Sequence, residues 1–319
     1  MRTFPWWARL LVAAATLAAV VWRLGTGPFV DGVRAVDGRA LLAAAAIGLL
    51  TTVCCAWRWT TVARGLGIRL SLPVAVAAYY RSVFLNLTLP GGVVGDVHRG
   101  VSHGRGVHDV GRALRIVAWE RTAGQVVQVA LTIAVLLVLP SPVRSFMPLA
   151  VAALAATVLG AVVVDRARAR GGRSRSARVR NAVVADLRAG LLHRKAVPAV
   201  VFASAVVVLG HAATFLVAAR TAGVTAPLSD LLPLALLAML AMVLPSVAGW
   251  GPREGATAWV FGAAGLGAEL GAATAVAYGV MVLVASLPGA LVLVAGWFAR
   301  RERSPLGKRV PRRLMSHTR

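Results

Sequence analysis

Long apolar runs separated by short charged blocks make up most of the chain. A membrane-spanning helix takes about 20 mostly apolar residues. Six runs approach that length: residues 6–23, 40–57, 122–139, 146–164, 197–217 and 272–297. Two further apolar stretches read differently. Residues 72–89 contain Tyr79, Tyr80, Arg81 and Asn86 and run into Pro90-Gly91-Gly92. Residues 228–248 run into Pro245, Gly249, Gly251 and Pro252, and a short apolar piece, 256–270, follows. Pro and Gly interrupt both stretches where a simple helix would continue.

The N-terminus joins a basic start, Arg2 and Arg9, to an apolar centre, which is also the pattern of a cleaved signal peptide. Trp6, Trp7 and Trp22 bracket this run as aromatic belts bracket a spanning helix. Further spans follow, so an uncleaved first helix is expected.

Composition agrees with the pattern. Hydrophobic residues are 58% and charged residues 14%, against about 45–50% and about 25% in soluble domains. A soluble enzyme, a disordered tail and a disulfide-stapled secreted domain are disfavoured together. The net charge of +24 lies in short blocks between apolar runs. That is a topology signal, not a nucleic-acid footprint, and no nucleic-acid partner is expected. Cys54 and Cys55 are adjacent in an apolar run and read as small buried hydrophobes.

Charge sets orientation. Residues 166–195 hold ten Arg or Lys, and residues 300–319 hold eight. Both segments are expected in the cytoplasm, as is 58–69 with Arg58, Arg64 and Arg69. The N-terminus is then cytoplasmic too, whereas Val224 is expected outside and Gly171 inside. The chain is inside at Arg69 and must be inside again before Thr122, so 72–89 must enter and return. The same count makes 228–270 enter and return from the other face. The expected fold is therefore an all-α, polytopic helix bundle in a single transmembrane domain, 1–319. It has two re-entrant hairpins within inverted repeats at 40–139 and 197–297, a transporter pattern. The basic loop is 165–195 and the basic tail 300–319.

The two tips also carry a likeness. The run from Arg81 to Arg99, with Asn86, Leu89-Pro90-Gly91-Gly92 and Gly95-Asp96, resembles the signature of the flippase-like transmembrane domain of lysyl-phosphatidylglycerol synthases. Glu120-Arg121-Thr122-Ala123-Gly124 resembles the element that follows it there. Leu244-Pro245 with Gly249-Trp250-Gly251-Pro252-Arg253-Glu254 resembles the second tip. Val94 stands where the family pairs a second glycine, and Pro252 sits between Gly251 and Arg253. The longest polar segment, 165–195, is far shorter than a domain of about 100 residues. The resemblance therefore implies the lipid-moving half and not the aminoacyl-transfer half.

Ionisable groups in a bilayer cost at least ~2.5 kcal/mol each at mid-membrane, so they pair or line a pathway. Asp96 and Arg99 lie within reach on one helix turn. Glu120 and Arg121 are expected to begin the next helix, and tip glycines leave N–H groups at helix starts, where anions bind. The candidate headgroup or phosphate site is Asn86, Gly91, Gly92, Asp96, Arg99, Glu120, Arg121, Gly251, Arg253 and Glu254. The competing assignment makes Arg99, Arg121 and Arg253 interfacial anchors paired with Asp96, Glu120 and Glu254. Asp96 as a proton carrier is a further alternative, and Gln125 and Gln128 face either the cavity or a neighbouring helix. His98, His103 and His108 do not share a helix face, and Gly100, Gly104, Gly106 and Gly111 argue for a loop there. The spacing does not match zinc patterns, and His211 is expected to bond within the bundle. No metal, cofactor or catalytic motif is expected.

The function expected is translocation of an anionic phospholipid or polyprenyl-phosphate-type lipid between leaflets of the cell membrane. A membrane-embedded transferase of lipid-linked sugar or aminoacyl groups is the alternative, disfavoured by a total of 11 acidic residues. A non-transporting subunit beside a separate lipid-modifying enzyme is another. The oligomeric state is left open.

Overall fold

In a computed structural model of the chain, residues 6–139, 141, 175–194, 196–242 and 250–303 are described. They are overwhelmingly α-helical. In chain order the helices are α1 (Trp6–Leu24), α2 (Gly27–Arg34), α3 (Gly38–Gly65), α4 (Leu72–Thr88), α5 (Val94–Gly106) and α6 (Val110–Val138). Then come α7 (Arg175–Gly190), α8 (Ala196–Thr221), α9 (Leu228–Ala241), α10 (Pro252–Ala263), α11 (Ala268–Ala285) and α12 (Pro288–Arg303). The run 146–164, the tip residues Leu244, Pro245 and Gly249, and Gly171 lie outside the described residues, as do most of the basic loop and tail.

Four helical stretches are long and apolar enough to cross a membrane: Gly38–Gly65, Val110–Val138, Ala196–Thr221 and Ala268–Phe298, the last running through α11 and α12. Their outward faces carry large apolar side chains. Leu42 is 74% exposed, Phe202 61%, Val138 77% and Leu291 70%. Such faces suit hydrocarbon and would be a liability in water. The protein is therefore an all-helical membrane protein.

Local chemistry sets the helix starts. The Asp37 carboxylate caps α3 by accepting from the Ala40 N–H at 2.7 Å, and Asp109 caps α6 through the Arg112 N–H at 2.8 Å. Pro73 and Pro252 fall in the first turns of α4 and α10, where the missing N–H costs nothing.

Three boundaries differ from the sequence expectation, each for a physical reason. Helix α3 continues past Trp57 to Gly65 because buried partners accept Arg58 within the bundle. Helix α6 starts at Val110, not near Thr122, so Glu120 and Arg121 lie mid-helix. The glycine-rich stretch around His98 and His103 is helical, not a loop. Gly100 and Gly104 sit one turn apart on α5, and a Cβ on either would strike Leu114 or Val110 of α6. Their small size serves close helix contact, as small residues do in membranes.

Helices α3 and α8 pack along each other at the centre. Around them α4 packs on α3, α5 and α12, while α9 packs on α8, α10 and α6. Helix α6 touches α3, α5 and α8, and α11 touches α8, α10 and α3. Helix α2 lies on α11, α7 on α6 and α3, and α1 on α10.

Among the described residues three apolar clusters fill the bundle, the smallest joining Val208, Ala212, Leu236 and Met239. Of the larger two, one joins Ala40, Phe215, Leu231, Phe261, Tyr278 and Met281. The other joins Cys55, Trp59, Val62, Tyr79, Ile116 and Val200. Cys54 and Cys55 are both buried free thiols.

Candidate functional site

Helices α4 and α5 form a hairpin whose turn holds Gly91 and Gly92, with φ of +103° and +66°. Most side chains are strained there, which explains glycine at both positions. A side chain added at Gly92 tests backbone strain as much as space. The two arms are locked by Asn86, which gives its Nδ2 to Asp96 Oδ2 at 2.7 Å and takes the Gly95 N–H at 2.8 Å. Ser82 Oγ donates to Asp96 Oδ1 at 3.2 Å. Arg121 reaches back from α6 to Asp96 Oδ2 at 2.5 Å, with 40% of its side chain exposed.

Arg99 is the centre of this group. Its Nη2 donates to Asp96 Oδ1 at 2.8 Å and to Glu120 Oε2 at 3.1 Å. Its guanidinium lies over the Tyr79 ring at 4.1 Å and over the Trp59 ring at 4.5 Å. Glu120 is fully buried and takes Arg58 Nε at 2.8 Å and Nη2 at 2.5 Å as well. Tyr79 donates its hydroxyl to Glu120 Oε1 at 3.2 Å, and Arg58 Nη1 donates to Ser204 on α8 at 2.9 Å. Gly124 leaves the room Arg58 occupies; a Cβ there would lie 2.7 Å from Nη1.

The group holds three guanidiniums and two carboxylates, leaving one positive charge. Arg99 is 1% exposed, and its Nε and Nη1 have no hydrogen-bond partner among the described residues. Buried donors are normally satisfied, and a buried guanidinium with open donors suits an oxyanion.

The second tip is organised differently. Gly251 has φ +116°, and its N–H donates to Glu254 Oε2 at 2.7 Å. The N–H that the sequence offered to an anion is thus taken by the helix's own glutamate. Arg253 donates Nε to Glu254 Oε1 at 2.9 Å and also bonds it through Nη2. Its guanidinium lies 5.4 Å from the Trp250 ring and 5.2 Å from the Tyr278 ring. A Cβ at Gly279 would lie 2.5 Å from Arg253 Nη2. This pair is electrically neutral and buried. His211 Nδ1 meets the Tyr278 hydroxyl at 3.0 Å, a bond within the bundle as expected.

Of the ten residues singled out in the sequence, Asn86, Asp96, Arg99, Glu120 and Arg121 converge through side chains, beside the Gly91-Gly92 turn. Gly251, Arg253 and Glu254 make a separate group on α10. Arg58, Trp59, Tyr79, Ser82 and Ser204 were not singled out. Tyr79, Ser82 and Asn86 fall at i, i+3 and i+7, so a polar stripe on α4 was legible. Arg58 was readable only as an orientation charge. Among the described residues no group of His, Cys, Asp and Glu is placed to hold a metal ion.

The family model for the lysylphosphatidylglycerol synthase TM region matches residues 6–289. Nearly the whole chain is covered, and the protein belongs to that family. No curated protein matches it.

Proposed function

We propose that this member of the family moves an anionic lipid, a phospholipid or a polyprenyl-phosphate-type lipid, between the leaflets of the cell membrane, binding its headgroup at Arg99. The observation that carries this reading is a buried Arg99 with open donors, beside a partly exposed Arg121 that brings the group's one surplus positive charge. Leaving buried guanidinium donors unsatisfied is costly, and an anionic headgroup offsets that cost. The partial exposure of Arg121 beside Asp96 supports a role for it in first contact with the headgroup.

An inverted repeat is part of the proposal. Exchange α3 with α8, α4 with α9, α5 with α10, and α6 with α11–α12, and the packing among these helices maps onto itself, while the α3–α7 and α1–α10 packings have no counterpart among the described residues. The α4–α12 contact answers α9–α6, α6–α8 answers α11–α3, and even α2–α11 answers α7–α6. Re-entrant hairpins are supported by length. The 17 residues of α4 rise about 25 Å, and α5, α9 and α10 are shorter still, against a hydrocarbon core of about 30 Å. Both termini are cytoplasmic in this arrangement.

The test is reconstitution into liposomes of phosphatidylcholine and phosphatidylglycerol, with leaflet accessibility of labelled phosphatidylglycerol followed over time. Arg99→Gln at the wild-type rate refutes the site. Orientation is tested by cysteine labelling at exposed Thr225 rather than at Val224, which is 2% exposed. Labelling from the cytoplasm at 225 refutes the repeat.

A further inference from the structure

Asp96, Arg99 and His103 lie at i, i+3 and i+7 on α5, along one face of the helix. Trp59 of α3 stands against this row. Its ring covers Arg99 at 4.5 Å and meets the His103 ring edge-on with centroids 5.6 Å apart. Around this one indole, several buried polar atoms lack partners among the described residues: Trp59 Nε1, Arg99 Nε, Arg99 Nη1 and His103 Nε2. Trp59 and Arg99 are each 1% exposed. A buried indole N–H almost always finds a partner, and each unsatisfied donor costs about 1–3 kcal/mol. Unpaired polar atoms on this indole and on the two side chains packed against it therefore form one feature.

We infer that Trp59, Arg99 and His103 together form a seat for a phosphate oxyanion. The inference rests on the reading of Arg99 as the headgroup site and adds Trp59 and His103 to it. The Tyr79 and Trp59 rings pack on the guanidinium, and its open Nε and Nη1 are the atoms left to meet a ligand. Trp59 Nε1 is only a donor, and His103 Nε2 donates in one neutral tautomer and as the imidazolium. A phosphate has enough oxygens to accept from several such atoms at once. Asp96 and Glu120 are already occupied by guanidiniums, so they do not oppose it. A lipid headgroup and free phosphate share this chemistry.

The experiment titrates the full chain in dodecyl maltoside with dihexanoyl-phosphatidylglycerol and, separately, with inorganic phosphate, by calorimetry. Trp59→Phe keeps a ring over Arg99 and removes only the N–H. Trp59→Phe and His103→Leu are each expected to weaken binding about tenfold, and Arg99→Gln to abolish it. Trp57→Phe, a half-exposed ring against Phe202, is expected to leave affinity unchanged. Response to the lipid alone makes the headgroup the occupant; response to both makes it the free anion too. Wild-type affinity in both Trp59→Phe and His103→Leu, with loss in Arg99→Gln, overturns the seat and leaves the Arg99 site standing. Wild-type affinity in Arg99→Gln overturns both. A second measurement needs no variant to fold well. In the wild-type protein with ¹⁵N-labelled histidine, the His103 Nε2 resonance is expected to move on saturation, and a fixed resonance overturns the seat.

Discussion

Helices α5 and α10 each bury an arginine against aromatic rings, and a glycine on a later helix clears space for a guanidinium in each group. Arg99 lies against Tyr79 and Trp59, with Gly124 beside its neighbour Arg58. Arg253 lies near Trp250 and Tyr278, with Gly279 beside it. The difference is in the charge. Arg253 and Glu254 cancel each other on one helix turn. In the first half Arg58, Arg99 and Arg121 outnumber Asp96 and Glu120. The Arg253–Glu254 pair is closed and neutral, whereas Arg99 keeps open donors and the first group carries one extra positive charge on the partly exposed Arg121.

The largest expected effect comes from breaking the neutral pair. Arg253→Gln leaves Glu254 buried without a counter-ion, and stability should fall by about 3–5 kcal/mol. Thermal unfolding in detergent measures it. Arg253→Met combined with Glu254→Gln removes both charges and keeps an acceptor for the Gly251 N–H, so most of the loss should return.

Removing Arg99 should do the opposite. In Arg99→Gln the remaining guanidiniums of Arg58 and Arg121 balance Asp96 and Glu120, each of which keeps another arginine. Its melting temperature should fall less than that of Arg253→Gln, while lipid movement in liposomes drops to background. Equal melting losses for the two variants would erase the distinction between the halves.

Adding one methyl group tests how far the halves are alike. Gly124→Ala and Gly279→Ala both push a Cβ into a guanidinium, and each should cost about 1–3 kcal/mol. The loss should be greater for Gly279→Ala, since the Cβ also meets Trp250 at 3.3 Å. An effect of similar size but more local is expected for Asn86→Ala. It loses the bonds to Asp96 and Gly95, about 1 kcal/mol each, and hydrogen exchange should quicken at the Gly95 amide before the rest of the bundle responds.

The reading of α5 as a loop shows where a glycine count misleads. In water Gly100 and Gly104 would weaken a helix. Between packed membrane helices they permit the approach to Leu114 and Val110. Arg58 misled for a related reason. An arginine just past an apolar run signals orientation unless a partner lies inside the bundle, and Glu120 is 62 residues away.

What the sequence determined by itself is what depends on near neighbours along the chain. Runs of apolar residues set the four long spans, Pro and Gly set the breaks, and Asp96 reaches Arg99 because a helix brings i and i+3 together. The pairing of Arg253 with Glu254 belongs here as well. Only the tertiary structure decided that Glu120 bridges Arg58 and Arg99, that Trp59 covers Arg99, and that Ser204 closes the group from α8. These contacts depend on which helix faces meet. That choice is made by packing over the whole bundle, and no local spacing encodes it.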